Sequence, residues 1–227
     1  MTPAEEPRLQ PLPFARWDET TRSTLLQFLR RPEVYLSGAP DAPPMPVVLE
    51  MFAHHLPLSA AWLPFTEMLA SDDATLRPNQ RELLILRVAW RTRSGYEWNQ
   101  HTRMGVEAGL SRAQVAAVAK GPSAEMWTPL ERALLTAVDE IVDDHVLGDA
   151  TWDALASHFG PAEMFELLFV VGGYVCLAGV LNSIGLQTQA ALPPAVTPDP
   201  SGSAVDDGGA TSEQSSTAPG TEGDRAR

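Results

Sequence analysis

The feature that most constrains this chain is a run of 20 residues without a charged side chain, from Leu167 to Leu186. A run of that length is long enough for an α-helix to cross the hydrocarbon core of a bilayer. It also contains Tyr174, Asn182, Ser183 and four glycines, and it has no flanking Lys or Arg to anchor its ends. We therefore predict a buried helix of a soluble protein with no membrane partner. Its surplus of apolar surface predicts further burial against neighbouring subunits.

The remainder of the chain up to Leu192 has the apolar periodicity of helices, and no series of alternating strands is present. Capping-box patterns begin at Ser111 and at Thr128, where a Gln or Glu follows three residues later. Pro64 is expected to interrupt one helix, and Gly160 to end another. The predicted fold class is all-α, a compact helical bundle.

The composition changes after Leu192. Residues 193–227 are rich in Pro, Gly, Ser, Thr and Ala, and they are too polar to offset the entropy of ordering them. We predict a disordered acidic tail there. Residues 1–192 are predicted to form a single all-α domain, with residues 1–20 as an N-terminal arm.

The net charge of −13 argues against a nucleic-acid partner, because phosphate binding needs a basic surface. It is equally unfavourable for anionic lipid surfaces. The N-terminal residues contain no apolar run of the signal-peptide kind, so the expected compartment is the cytoplasm. Cys176 is the only cysteine, which excludes an internal disulfide and a CxxC site.

The stretch "SGYEWNQH" raises the question of function. On a helix that begins near Ser94, Glu97 and His101 lie on one face. Glu82, on the preceding helix, sits among apolar residues, where a carboxyl needs a partner. Two interpretations stay open for Glu97: it completes a capping box with Ser94, or it takes part in proton transfer with His101.

The segment "RELLILRVAWRTRSGYEWNQHTRMGVEAGLS" resembles the carboxymuconolactone decarboxylase and alkylhydroperoxidase D-like superfamily, in its cysteine-less "YEWxxH" branch. The resemblance runs from about Met45 to Leu186. It implies a compact all-α unit that assembles into trimers or hexamers.

In the redox branch of that superfamily, a Glu, a CxxC and a His form a proton relay to a peroxidatic thiol. The Glu and His positions of this relay are Glu82 and His101 here, and the two cysteine positions hold Ser94 and Glu97. Neither of these can form a disulfide, so we expect thiol peroxidase activity to be absent.

The resemblance instead implies a lyase that works without metal or organic cofactor on a small carboxylated lactone or β-keto acid. His101 is the expected proton donor, Glu82 orients it or shuttles protons, and Glu97 is the third candidate catalytic residue. Three further residues are candidates for the substrate pocket: Ser94, Tyr96 and Trp98.

Several alternatives stay open. The same residues would serve a related isomerase, lactone hydrolase or dehydratase, and the domain could equally be a non-catalytic oligomeric ligand-binding module. Glu82, Glu97 and His101 could also hold a metal ion, which we rank lowest. Candidates for binding a substrate carboxylate are Arg87, Arg91 and Arg103.

Overall fold

A computed structural model of the protein describes residues 6–29, 31–39 and 41–186. The predicted tail, residues 193–227, lies outside the described residues, as do the first five residues of the predicted arm. The described part is helical and contains no strand, which confirms the all-α fold class. Its ten α-helices are α1 Glu19–Leu25, α2 Pro32–Leu36, α3 Val47–Phe52, α4 Leu56–Ala70, α5 Pro78–Arg91, α6 Gly95–Glu107, α7 Arg112–Ala117, α8 Pro129–Asp144, α9 Asp149–Ala156 and α10 Pro161–Ile184.

Helix α5 is the centre of the fold. Every residue from Leu83 to Ala89 is buried, because α5 packs against α6, α8 and α10 on different sides. A helix buried on several sides is mainly apolar, and any buried charged residue in it needs a partner. Arg87 finds one in Asp139 of α8, to which it donates two hydrogen bonds, at 2.7 and 2.8 Å.

Local capping sets most of the helix starts. The capping boxes predicted at Ser111 and Thr128 are both present, each with reciprocal hydrogen bonds to the residue three positions later. Two other local predictions are wrong. Pro64 lies inside α4, which continues through it, and Gly160 precedes α10 as its N-cap instead of ending α9. Gly160 is extended there, and its amide donates to the side chain of Glu163.

The N-terminal residues form a second layer beside this core. Trp17 is buried among Leu25, Leu49 and Leu63, and its indole donates to the carbonyl of Leu12. Backbone contacts to Glu50 tie residues 12 and 14 to α3. The space between this layer and the central helices is the site described below.

Helix α10 contains most of the uncharged run. By length and composition it is the one helix in the described ranges that could cross a membrane, with a mean hydropathy of 2.1 in its most apolar window. It packs against α5, α8 and α4, and 39% of that apolar window is buried. One such helix is weak evidence for a membrane, since buried core helices have the same composition.

A single glycine allows α6 to approach α5 closely. A Cβ at Gly105 would lie 3.1 Å from a methyl of Leu86 and 3.2 Å from a methyl of Leu110. Both leucines are buried, so neither methyl has free space to move into. The close approach brings α6 next to Glu82 of α5, whose Cβ is 3.8 Å from the same position.

We predict that Gly105→Ala lowers the free energy of unfolding by about 1–2 kcal/mol, because overpacking outweighs the gain in helix propensity. Gly95→Ala is the matched control, since it makes the same change in the same helix where a Cβ meets nothing within 4 Å. We expect it to leave stability unchanged or to raise it. Chemical denaturation of both variants measures the difference, and an equal effect of the two changes would contradict the packing argument.

Candidate functional site

A buried hydrogen bond joins Glu82 of α5 to His101 of α6. The distance from His101 Nδ1 to Glu82 Oε2 is 2.8 Å. Both residues are almost fully enclosed, with Glu82 2% and His101 7% exposed. The structure therefore brings together the carboxylic acid and the imidazole that the sequence singled out.

The surroundings of His101 fix the orientation of its ring. Tyr174 of α10 packs edge-on against the imidazole, with ring centroids 5.1 Å apart. The second ring nitrogen, Nε2, has no hydrogen-bond partner among the described residues, and His101 lines a cavity. Burial, together with the charges of Glu82 and Glu97, raises the pKa of Tyr174, so its hydroxyl stays protonated at neutral pH.

Glu97 does not cap α6, so the capping-box prediction is wrong. The Ser94 hydroxyl and both carboxyl oxygens of Glu97 are buried without a hydrogen bond. The Ser94 amide is already used: it donates to the carbonyl of Ala89 at 2.9 Å, as part of the turn that ends α5. Glu97 therefore has no free amide to reach back to.

The carboxyl group of Glu97 is instead a buried acid on the cavity wall. It is 2% exposed, and burial raises its pKa to about 7, against smaller opposing effects of the nearby Ser94 hydroxyl and of His101. An acid with this pKa is present in both protonation states at neutral pH, as proton-transfer chemistry prefers.

The cavity has a volume of about 640 Å³, within the range of ligand-binding pockets. One wall is formed by α6 and α10, and the opposite wall by residues of the N-terminal layer up to Ser71. Most of its lining is apolar or aromatic. Glu97 and His101 both line it, and Glu82 lies behind His101.

Only one of the three predicted pocket residues lines the cavity. Tyr96 lines the cavity, while Ser94 and Trp98 are not part of its wall, so the pocket prediction is wrong for these two. Trp98 packs instead against Trp90, with ring centroids 5.6 Å apart. Burial raises the pKa of the Tyr96 phenol to about 12, which keeps it a hydrogen-bond donor.

Only one of the three arginine candidates for binding a substrate carboxylate lies at the cavity. Arg87 is bonded to Asp139, and Arg91 forms ion pairs with Asp139 and Asp143, so neither is available to a ligand. Arg103 lines the cavity. Sequence reasoning gave no preference among the three, because the partners of Arg87 and Arg91 lie about 50 residues away along the chain.

Sequence reasoning missed most of the cavity wall. Tyr174 and Gln100 were not predicted, and neither were the apolar residues contributed by the N-terminal layer, such as Phe52 and Trp62. A signal existed for Tyr174, since it is the one aromatic hydroxyl in the uncharged run of α10. Nothing local marked Phe52 or Trp62.

A metal site is not formed by the candidate ligands. In the described ranges of the chain, no three His, Cys, Asp or Glu side chains come together in an arrangement that could hold a metal ion. Glu82 contacts His101 directly, and its other carboxyl oxygen lies 4.0 Å from Arg81.

Comparison with known proteins agrees with this architecture. The model of the carboxymuconolactone decarboxylase family matches residues 57–140, which include both Glu82 and His101. No curated protein matches the chain.

Solved structures share the fold at low sequence identity. An uncharacterized peroxidase-related protein from Ralstonia eutropha JMP134, an alkylhydroperoxidase AhpD core, is 18% identical with a TM-score of 0.67, over 82% of this chain and 94% of that one. A peroxidase-related protein from Silicibacter sp. TM1040 is 15% identical with a TM-score of 0.66, over 85% and 96%. The debrominase Bmp8 in complex with 2,3,4-tribromopyrrole is 14% identical with a TM-score of 0.62, over 82% and 94%.

The family match and the shared all-α fold together confirm the resemblance seen in the sequence. Residues 57–140 thus match the carboxymuconolactone decarboxylase family, and the described part of the chain shares the fold of the alkylhydroperoxidase AhpD core.

We predict that Glu97→Gln stabilises the protein above neutral pH. Because the pKa of Glu97 is raised to about 7 in the folded state, the folded protein is destabilised as pH rises through the interval between the unfolded value and 7. The amide does not ionise, so at pH 8 the variant should be more stable by about 2–4 kcal/mol, and the difference should shrink towards pH 4.5.

Denaturation curves between pH 4.5 and 8 measure this effect. Glu107→Gln is the control, because Glu107 is exposed on the same helix. A difference between Glu97→Gln and the wild type that does not change with pH would contradict the assignment of a buried, ionisable Glu97.

Proposed function

We propose that this protein is a cofactor-independent carboxy-lyase that acts on a carboxylated lactone or β-keto acid by proton transfer through His101 and Glu82. The observation that carries the proposal is the buried 2.8 Å hydrogen bond between these residues, beside a cavity of about 640 Å³. The family match over residues 57–140 supports a catalytic role without fixing the reaction.

The chemistry requires little from the protein. Loss of CO₂ from a β-keto acid breaks the bond between the α-carbon and the carboxyl carbon, and its electron pair moves into an enolate. A proton must then be delivered to the α-carbon. His101 serves as the donor through Nε2, because Nδ1 is engaged by Glu82, which orients the ring and balances the charge of the imidazolium.

Glu97 is a second acid on the same wall of the cavity. As a neutral acid it donates a hydrogen bond to the substrate oxygen that becomes the enolate oxygen. A buried carboxyl without a protein partner and with a pKa of about 7 is suited to this role.

Thiol chemistry is not supported at this site. Ser94 and Glu97 occupy the two cysteine positions of the redox relay, and Cys176 is exposed on α10. A disulfide needs two thiols, and the sequence contains one.

We predict that His101→Ala lowers the rate of enzymatic CO₂ release by about 10²–10⁴-fold, the usual contribution of a positioned acid or base. The substrate panel is 2-methyl-3-oxo-3-phenylpropanoate and related β-keto acids and carboxylated lactones. For that β-keto acid, the reaction is run in D₂O. A positioned donor adds deuterium to one face of the α-carbon, whereas decarboxylation in solution adds it to both.

Glu82→Gln tests the partner of His101 and should lower the rate while largely preserving binding, because it acts on the orientation and charge of the ring. Glu107→Gln is the control and should behave as the wild type, since Glu107 is exposed and away from the cavity. Equal rates for the wild type and His101→Ala, or deuterium on both faces with the wild type, would rule out the assignment. Binding without turnover by the wild type would favour the ligand-binding alternative.

We also propose that copies of this chain self-associate, as the resemblance implies. The supporting observation is an apolar face on α9 and α10, where Trp152, Phe165, Phe169 and Val180 are all between 46% and 64% exposed. Several large side chains exposed along one helix are unusual for a monomer and typical of a covered surface.

Phe165→Glu should reduce the molar mass measured by light scattering after gel filtration, because a charge would be buried at the contact. Ala113→Glu adds the same charge on the exposed surface of α7 and should leave the mass unchanged. A monomeric wild type, or an apolar face that is covered only by detergent or lipid, would contradict self-association.

A further inference from the structure

Arg103 is the single Lys or Arg among the described residues that line the cavity. Its Nε is buried and has no hydrogen-bond partner, and its Nη2 donates to the side-chain oxygen of Gln100. No Asp or Glu of the described ranges forms an ion pair with it. The guanidinium is thus held at the cavity with unused donors.

The other arginines differ in how they are partnered. Arg22 also keeps a buried Nε without a hydrogen bond, but its guanidinium lies over an aromatic ring, 4.9 Å from the ring centroid. Arg87 is bonded to Asp139, and Arg91 to Asp139 and Asp143, so the two arginines that reach α8 are paired within the protein. A buried donor without a partner is unfavourable unless something binds to it. The matching ligand is a carboxylate, whose two oxygens fit the planar fork of a guanidinium.

The position of Arg103 separates it from the reacting centre. Arg103 shares a face of α6 with Gln100 and Tyr96, at helical spacings of three and four. Glu97 and His101 form the adjacent face. Because Arg103 and His101 both line the cavity, one ligand can present a carboxylate to Arg103 and a second group to His101.

Much of the cavity wall is apolar. Phe52, Trp62 and Leu63 form part of the wall on one side, with Leu177 and Leu181 on the other. A volume of about 640 Å³ suits a ligand of drug-like size, and a small polar acid would leave most of this apolar surface in contact with water.

We infer that the ligand is an elongated acid in which a bulky apolar or aromatic body carries a non-reacting carboxylate, and that Arg103 binds this carboxylate. The inference rests on the proposed function for the reacting end. It replaces the small substrate expected from the sequence with a larger one that keeps the same reacting group.

Binding of simple analogues tests the inference without any turnover. The probes are 4-phenylbutyrate, which has an apolar body and one carboxylate, its neutral amide 4-phenylbutanamide, and acetate, which lacks the body. Isothermal titration calorimetry is run at pH 6, where Glu97, with a pKa of about 7, is mainly uncharged and does not repel the acids.

The wild type should bind 4-phenylbutyrate about tenfold or more tightly than the amide, as expected for a charge-assisted hydrogen-bonded pair. Arg103→Met should remove this preference, and Arg103→Lys should keep part of it, because lysine retains the charge without the fork. Arg112→Met is the control, since Arg112 is exposed on α7, and should keep the full preference. Acetate should bind far more weakly than 4-phenylbutyrate in every protein. Thermal unfolding of each variant confirms that it is folded.

Equal binding of acid and amide by the wild type would overturn the inference, as would a preference that survives in Arg103→Met. If the wild type binds neither phenyl probe, the inference that the ligand has a bulky apolar body is overturned. These outcomes are separate from a failure of the proposed function, which is measured by CO₂ release from the β-keto acids and carboxylated lactones and by its dependence on His101.

Discussion

The contact between His101 and Glu82 is the interaction on which the rest of the site depends. Burying a carboxylic acid or an imidazole is costly without a hydrogen-bond partner, and this pair supplies one for each residue, at 2.8 Å. The fold arranges this by burying α5 on all sides and by placing Gly105 where α6 crosses it. Tyr174 packs edge-on against the imidazole ring of His101. Nε2 is thereby left as the ring nitrogen without a hydrogen-bond partner among the described residues.

The polar groups of the interior differ in how completely they are hydrogen-bonded. Away from the cavity, Glu166 accepts hydrogen bonds from the backbone at residues 75 and 76 and joins α10 to the start of α5. Three residues outside the cavity wall each keep one buried atom without a partner: Arg22, Ser94 and Asn99. At the cavity, Glu97 and Arg103 keep buried atoms without a partner. Unsatisfied buried groups lower stability, and proteins retain them where a ligand or a reaction makes use of them.

Sequence reasoning succeeded where the determinants are local and failed where they are not. The capping boxes at Ser111 and Thr128 were predictable, because the two residues involved are three positions apart and nothing else competes for them. The same pattern at Ser94 was misleading, since the turn that ends α5 had already taken the Ser94 amide. The all-α fold and the pairing of His101 with Glu82 followed from helical periodicity and from the family motif. The wall that includes Trp62 could not be predicted, because it forms only when the N-terminal layer packs on the core.

The two walls of the cavity come from separate parts of the chain. The residues proposed for proton transfer lie within residues 82–101, inside the segment that matches the family, whereas residues 27–52 of the facing wall lie before that segment begins at residue 57. Part of the cavity surface is thus encoded outside the stretch that holds these residues. Mutations in residues 27–52 can therefore alter which compounds fit during evolution while the His and Glu are inherited intact, so relatives with the same His and Glu need not share a metabolite.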